Sequence, residues 1–359
     1  MLVRELNEFI LMSKYAGERF DLVQAGGGNT SVKLDNGEMF IKASGYLLSE
    51  INQDNGYVIV DNKKVLEILD NQSIINEKDK KIRDNISSSK IKETILKKKL
   101  KPSIETFLHA LLLKYTLHVH SISINILTSH IKWIEKVMQL GGSVLPIKYE
   151  TPGIDLAIEL KKQIQIYKRK KGRMPKVICL QNHGLIVTSN DFTEIKKITE
   201  YIVCKAEKLC NVNFEKFRNV TMLSSIINNF NSTHQIAYFV NDAYINKILK
   251  TQKELFIKKP FSPDGYVFCG YKILDLGKVI NDNLLKKYLK KYNEPPKIVI
   301  YNNKIYIFAI DLKKAKMIED VLKNNLIILE ALQENINFLE DEEIEYLSNW
   351  EAEKFRQNL

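Results

Sequence analysis

The first 210 residues alternate between two spacings of hydrophobic residues, one typical of helices and one typical of strands. The triplet Asp35-Asn36-Gly37, between two runs rich in apolar residues, predicts a hairpin. This alternation favours a layered α/β unit around one sheet. The predicted helices cover 1–19, 130–140, 154–167 and 192–209, with a short one before residue 70, and the predicted strands cover 31–34, 39–43, 57–60, 117–127, 144–147, 177–180 and 185–188.

Two other portions of the chain have less regular patterns. Residues 71–101 are polar, charged and rich in serine, which predicts a mobile excursion over the surface with one helix at 90–99. The patterns predict a first domain at 1–214 and a smaller α/β C-terminal extension at 215–359. The extension starts with an Asn- and Ser-rich segment, followed by a helix, a turn at 261–265, strands at 266–269, 297–301 and 305–309, and a helix at 312–332.

Composition is that of a globular protein. Hydrophobic residues make up 45% of the 359 residues, and no apolar run approaches the ~20 residues that a membrane helix needs. The N-terminal segment lacks the uninterrupted apolar stretch of a secretory signal. The four cysteines form no Cys-X-X-Cys pair, so we expect reduced, buried thiols. Together these features predict a cytoplasmic protein without a membrane partner.

The formal net charge of +11 raises the question of nucleic-acid binding. The lysines fall in three runs, at 78–101, 161–176 and 286–297, which resemble solvated helix faces and loops. Aromatic residues are not interleaved with these runs, and no helix-turn-helix, zinc-finger or ribonucleoprotein pattern accompanies them. We therefore expect no nucleic-acid partner, and a milder attraction for anionic substrates.

Candidate chemistry is concentrated between residues 102 and 127. His118 and His120 are two residues apart in a predicted strand, so they share a face and could be paired zinc ligands. Two unrelated histidines in a sheet are the alternative interpretation. Glu105 lies in the first turn of a predicted helix capped by Ser103, where a carboxylate also suits the helix dipole, and His109 shares its helical face.

A further histidine and a glycine-rich segment complete the candidates. His183 is followed by a glycine between two apolar runs, which places its imidazole at a bend. The glycines at 26–28 precede a hairpin rather than a helix, so they form neither a dinucleotide fingerprint nor a P-loop. They are either a flexible turn or part of an anion cradle. The residues that could complete such a cradle are Asn29, Thr30, Ser31, Lys42, Ser44 and Gly45.

These motifs, in this order, resemble the class II aldolase/adducin family. The motifs are Asn29-Thr30-Ser31, Lys42-Ala43-Ser44-Gly45, Pro102-Ser103-X-Glu105, His118-X-His120 and Asn182-His183-Gly184. The resemblance covers residues 1 to about 212 and is strongest to the aldolase half of proteins of the rhamnulose-1-phosphate aldolase/alcohol dehydrogenase type, through 102–109 and 152–157. The C-terminal extension resembles the same proteins more loosely, through residues 262–265 and through Tyr346, Trp350 and Glu351.

The resemblance implies a three-layer α/β/α fold with a central, mainly antiparallel sheet. It implies a homo-oligomer, a tetramer in family members, and no nicotinamide cofactor because a dehydrogenase half is absent. By resemblance His118, His120 and His183 would bind a divalent metal ion, with Zn²⁺ expected first and Mn²⁺, Fe²⁺ or Co²⁺ as alternatives, and Glu105 would act as acid/base. The residues that would hold a substrate phosphate are Gly28, Asn29, Lys42, Ser44, Gly45 and Ser103.

The implied activity is a lyase that cleaves or forms a carbon–carbon bond of a sugar or sugar phosphate through a metal-stabilised enediolate. An epimerase or dehydratase with the same site, or a non-catalytic adducin-like scaffold, are the alternatives. Two positions depart from the family pattern: Ile104 stands where a second serine is common, and Ala43 replaces a proline. Lys42 would then serve as the cation for a phosphate or for a carboxylate.

Overall fold

The structure is a computed structural model that describes residues 2–97, 100–231, 233–280 and 282–349. The chain folds into two compact units, Met1–Phe214 and Glu215–Leu359. In the described part of the chain, no helix is both long and apolar enough to cross a membrane. All four cysteines are free thiols, as expected, and two of them, Cys179 and Cys269, are buried.

The first unit is built on an eight-stranded sheet. Seven pairs of neighbouring strands join eight strands, and all are antiparallel except β6 with β7. The strand order is β4-β3-β2-β1-β5-β8-β7-β6, which confirms a mainly antiparallel sheet. The strands are β1 Asn29–Lys33, β2 Glu38–Lys42, β3 Tyr57–Asp61, β4 Ile95–Lys97, β5 Tyr115–Val119, β6 Val144–Ile147, β7 Val177–Leu180 and β8 Gly184–Ser189.

Helices cover both faces of this sheet. Successive strand residues point to opposite faces, so Phe40 belongs to one buried apolar cluster and Ile41 to the other. Helices α1, α6 and α9 pack on the first cluster, and α2, α5 and α8 on the second, which gives the three layers. The helices are α1 Leu2–Gly17, α2 Asn62–Leu69, α3 Gln72–Ile75, α4 Lys80–Lys92, α5 Thr106–Ala110, α6 Ile122–Thr128, α7 Trp133–Met138, α8 Ile154–Lys171 and α9 Phe192–Cys210.

Three local expectations about the first unit are wrong. The predicted strand 117–127 ends at Val119, and α6 follows because its residues bury one helical face, which includes Ile124 and Leu127. In the polar segment 71–101, the helix lies at 80–92 rather than at 90–99. The strand β4 lies within 90–99, and residues 98 and 99 are outside the described part of the chain. Helix α5 begins at Thr106, so Glu105 rather than Ser103 occupies the N-cap position.

The second unit has a four-stranded sheet in the order β10-β11-β12-β9. The predicted strand at 266–269 is instead part of a helix, because the Oγ of Ser262 accepts a hydrogen bond from the amide of Gly265 and starts the helix there. Trp350 and Glu351 lie outside the described residues. The elements are α10 Glu215–Ile227, β9 Ile236–Phe239, α11 Ala243–Thr251, α12 Pro263–Cys269, β10 Leu274–Gly277, α13 Asp282–Tyr292, β11 Ile298–Tyr301, β12 Lys304–Ala309, α14 Leu312–Leu332 and α15 Asp341–Asn349.

Candidate metal centre

Three histidines from two parts of the first unit converge at one end of the sheet. We call His118, His120 and His183 the histidine cluster. His118 is fully buried in β5, His120 is the next residue but one and follows the end of that strand, and His183 is in the turn between β7 and β8. The Nε2 atom of His118 is 3.2 Å from that of His120 and 3.3 Å from that of His183.

Strand pairing explains why His183 reaches the other two. In the β5–β8 pair, Val119 lies opposite Leu185, so the turn before β8 comes next to the end of β5. Asn182 has a φ of 55°, in the left-handed region that asparagine tolerates. Gly184 lies so close to the carbonyl oxygen of Val119 that a Cβ there would overlap it. Asparagine before His183 therefore suits the left-handed backbone of the turn, and glycine after it is required by the close approach to Val119.

A backbone carbonyl fixes the orientation of His118. Its Nδ1 is 3.1 Å from the carbonyl oxygen of Leu185. Because a carbonyl oxygen only accepts hydrogen bonds, Nδ1 carries the proton, and in the neutral ring the lone pair is on Nε2. That lone pair faces the other two Nε2 atoms. Metal-binding histidines have this arrangement, in which the second ring nitrogen donates to an oxygen.

Glu105 lies beside the histidine cluster. Its Oε1 is 3.1 Å from Nε2 of His183 and 3.4 Å from Nε2 of His118, and the residue is only 6% exposed. Its other oxygen, Oε2, accepts a hydrogen bond from the side-chain amide of Asn29 on β1. The amide of Glu105 donates to Oγ of Ser103 at 3.3 Å. Both carboxylate oxygens are thus held in place by neighbouring elements.

The electrostatics of the cluster follow from burial and from Glu105. Burial raises the pKa of Glu105, but the charges of His118 and His183 and their hydrogen bonds outweigh it and hold the pKa well below its usual range. Burial lowers the pKa of His118, but Glu105 and the carbonyl of Leu185 raise it above its usual value. Burial, together with the charges of His118 and His183, lowers the pKa of His120 to about 3. Glu105 and His118 thus shift each other's pKa in opposite directions, towards the ionised carboxylate and the protonated imidazole.

The donor set fits a divalent cation. Nitrogen ligands at about 2.0–2.1 Å from a tetrahedral zinc ion are about 3.3–3.4 Å apart, close to the spacing of these Nε2 atoms. The ligating atoms of the three histidines all lie within 4.8 Å of one another. Three protein ligands leave a further coordination position for a substrate or water, as catalytic rather than structural sites do.

Of the residues expected to bind an anion, Gly28 lies against the backbone of His118, and Ser103 contacts both Glu105 and Lys42. Gly28 has a φ of 72°, and a Cβ there would lie 2.9 Å from the carbonyl oxygen of His118. Lys42 ends β2 and is buried, as is Ser103, whose amide donates to the carbonyl of Lys42 at 3.2 Å. Burial lowers the pKa of Lys42, and the charge of Glu105 opposes this. Ser44 and Gly45 are exposed to solvent.

Some contacts of the site were not foreseen from the sequence. Asn29 was expected to bind a phosphate, and the structure shows its amide on Glu105. His109 does not join the histidine cluster: its Nδ1 is 2.7 Å from Oγ of Ser31, and burial lowers its pKa to about 3. Gly27 packs against His120, and a Cβ there would lie 2.7 Å from Nδ1. The Gly26–Gly28 run was a visible signal, but its contact with a histidine was not.

Comparison with known proteins places the chain in a family. The profile described as Class II Aldolase and Adducin N-terminal domain matches residues 8–210, more than half of the chain, so the protein belongs to this family. The resemblance found in the sequence is thereby confirmed. Membership supports an aldolase-type enzyme. No curated protein matches the chain.

Several solved structures are similar to a part of the chain. The N-terminal class II aldolase domain of a conserved protein from Thermoplasma acidophilum is 28% identical, with 57% of this chain and 93% of that chain covered and a TM-score of 0.48. A sugar-phosphate aldolase from Thermotoga maritima is 16% identical, with 59% and 96% covered and a TM-score of 0.41. An L-fuculose 1-phosphate aldolase is 18% identical, with 61% and 95% covered and a TM-score of 0.40.

Proposed function

We propose that this protein is a metal-dependent lyase that cleaves or forms a carbon–carbon bond of a sugar or sugar phosphate. The observation that carries the proposal is the convergence of three Nε2 atoms with Glu105 beside them. His118, His120 and His183 would hold the cation, with Zn²⁺ first and Mn²⁺, Fe²⁺ or Co²⁺ as alternatives that imidazole ligands also suit. When bound, such a cation would stabilise the negative charge that develops on substrate oxygens during bond cleavage.

Glu105 is the proposed acid/base of the reaction. Its buried carboxylate, beside the histidine cluster, would accept the hydroxyl proton that a retro-aldol cleavage releases. In cleavage, Glu105 would then pass this proton to the carbon that lost the aldehyde, which gives the ketone and restores the carboxylate. In bond formation both transfers run in reverse, and the proton is delivered to the carbonyl oxygen of the incoming aldehyde. Asn29 would position the carboxylate through its hydrogen bond to Oε2. The buried setting of Glu105 excludes bulk water from this transfer.

The remaining residues of the proposed site would bind the substrate. Gly28 allows the backbone to approach closely, and the other residues offer amide, hydroxyl or ammonium donors. The proposal includes a cytoplasmic homo-oligomer that needs no nicotinamide cofactor. The proposed substrate-binding residues are Gly28, Asn29, Lys42, Ser44, Gly45 and Ser103.

Metal analysis and a cleavage screen test the proposal together. The full chain is purified with and without added zinc, and His183→Ala should lose most of the bound metal because it removes one of three ligands. His130→Ala is the matched control, since His130 is exposed and lies outside the cluster. Full metal occupancy in His183→Ala would show that His183 is not the third ligand.

Glu105→Gln tests the chemical step. It should keep the metal and lower turnover by about 10²- to 10⁴-fold, the usual contribution of a positioned acid/base. The assay is a screen of sugars and sugar phosphates for released aldehyde and ketone. An isomer of the substrate or loss of water, without fragments, would favour an epimerase or a dehydratase. A protein without bound metal and without turnover would favour the scaffold.

A further inference from the structure

The sheet of the second unit repeats half of the sheet of the first. Strands β9, β12, β11 and β10 are neighbours in this order in the second unit, as β5, β8, β7 and β6 are in the first. In both sets the first two pairings are antiparallel and the third is parallel. The order along the chain also agrees: a helix follows the first strand, a crossover helix joins the parallel strands, and a hairpin leads into a long helix.

The last helix of each set buries the same positions. Helix α9 is N-capped by Asp191 and α14 by Asp311, which lies 120 residues later. With that same spacing, four buried positions of α9 coincide with four buried positions of α14. These pairs are Ile195 and Ala315, Thr199 and Glu319, Ile202 and Leu322, and Ala206 and Leu326. The two helices therefore start at the same point after their hairpins and bury the same face.

The strand registers also coincide next to the histidine cluster. In the first unit, His118 lies opposite Ile186, the third residue of β8. In the second unit, Phe239 lies opposite Tyr306, the third residue of β12. Both β8 and β12 are six residues long and complete a hairpin with the strand before them. Phe239 therefore occupies the place of His118.

The other two ligand positions follow from the same register. His120 and Asn241 each lie two residues further along the chain and directly precede the N-cap of the next helix. His183 and Asn303 are each the last residue before the second strand of the hairpin, although the turn of the second unit is shorter by one residue. A phenyl ring has no lone pair for a metal ion, and carboxamide oxygens suit calcium rather than zinc. This second set of positions therefore cannot form a centre like the histidine cluster.

The second unit also lacks the half of the sheet that supplies the other residues of the proposed site. In the first unit, β5 pairs on its other side with β1, which carries Asn29. The corresponding edge of β9 is covered by α10. There Oγ of Ser224 accepts a hydrogen bond from the amide of Ala237 at 2.8 Å, and a second amide, that of Gln235, donates to Oδ1 of a neighbouring asparagine at 2.7 Å. Among the described residues of this unit, no strand takes the place of β1.

We infer that the second unit is a repeat of the metal-binding half of the first unit, in which Phe239, Asn241 and Asn303 occupy the three ligand positions of a metal centre that it does not form. Among the described residues, the histidine cluster is the one group of three His, Cys, Asp or Glu side chains close enough to hold a metal ion. Each chain thus has one place for a divalent cation of this kind. The inference goes beyond the proposed lyase function, since it assigns the second unit a silent copy of the metal-binding frame.

Grafting the three histidines into the second unit tests the inference in the full chain. The graft combines Phe239→His and Asn241→His with a new turn, in which residues 302–304 are replaced by the sequence of residues 181–184, Gln-Asn-His-Gly. The parent and all variants carry His183→Ala, so that the first unit binds zinc weakly. Zinc per chain is measured by atomic emission after gel filtration, and affinity by competition with a chelator.

The graft should gain about one zinc ion per chain over its parent, because three imidazoles then surround one position. A two-histidine variant carries Asn241→His and the new turn but keeps Phe239, which packs against Phe217 and Tyr306. It should bind zinc more weakly than the full graft, since one ligand is missing, and it removes the risk that the loss of Phe239 unfolds the unit. Its matched control has Lys250→His in place of Asn241→His, at an exposed position of α11, and should gain no zinc over the parent.

The inference is overturned if the full graft is folded by circular dichroism and gains no zinc over the parent. It is also overturned if the two-histidine variant binds zinc no better than its control, which decides the matter should the full graft fail to fold. Two tightly bound zinc ions per wild-type chain would contradict the silent second centre. If the parent itself keeps its zinc, His183 is not the third ligand of the proposed lyase, and the difference between parent and graft still tests the repeat.

Discussion

Metal binding to the histidine cluster should depend steeply on pH. The Nε2 atom of His118 must lose its proton before it can bind a cation, because Nδ1 is held by the carbonyl of Leu185. In the metal-free protein, burial lowers the pKa of His118, but the charge of Glu105 and the hydrogen bond to it raise it above the ordinary value of 6.5. Metal and proton therefore compete for the same atom.

The direction and size of this pH dependence follow from the linkage between proton binding and metal binding. A raised pKa means that the proton on His118 stabilises the metal-free fold fully below pH 6.5, and that this contribution is lost as the pH rises through the folded value. His120, with a pKa lowered by burial to about 3, contributes no proton in this range. The apparent zinc affinity should therefore fall by up to tenfold between pH 6.5 and pH 5.5, the limit for one displaced proton, which is about 1.4 kcal/mol.

Competition with a chromophoric chelator at pH 5.5–7.5 would measure this slope. Calorimetry in two buffers with different ionisation enthalpies would count the released protons. Glu105→Gln is the informative variant, since removing the carboxylate removes the main cause of the raised pKa of His118 and should flatten the slope. A zinc affinity that does not change with pH in wild type, or zinc uptake at pH 6 without proton release, would refute this account of the cluster.

Two further predictions come from matched pairs of residues. Gly27→Ala should lower zinc affinity, measured by the same competition, because its Cβ would lie 2.7 Å from Nδ1 of His120, whereas Gly26→Ala meets no atom within 4 Å and should bind zinc like wild type. Arg19→Met should lower the free energy of unfolding by about 3–5 kcal/mol, because it leaves the fully buried Asp21 without its guanidinium partner. Arg4→Met removes a pair whose arginine side chain is 79% exposed, so urea unfolding should detect little change.

Much of the first unit could be predicted from local patterns. The hairpin around residues 35–37 forms as expected, because its turn chemistry and the apolar runs on each side agree. The strands at 57–60, 144–147 and 177–180 were also predicted to within a residue, since each is a short, mostly buried apolar run. Such segments need no information from distant parts of the chain.

The failures occurred where tertiary packing overrides propensity. Residues 122–128 are rich in β-branched residues, yet they form α6, because Ile124 and Leu127 bury one helical face in the core. The 266–269 segment looks like a strand when viewed alone, but the Ser262 cap upstream commits it to a helix. In both cases the deciding contacts lie outside the apolar run itself.

The candidate site shows the same division between local and distant information. Spacing alone predicted that His118 and His120 share a face, and this argument did not depend on the strand continuing to residue 127. The position of His183 is a consequence of the β5–β8 register, which no local pattern specifies. A slip of one residue in that register would move Leu185 away from His118, and its carbonyl would no longer fix the ring. The fit of the cluster to a metal therefore depends on strand pairing as much as on the histidines themselves. A substitution at Gly184 would disrupt the strand pairing and the position of His183 together, because a Cβ there would overlap the carbonyl oxygen of Val119.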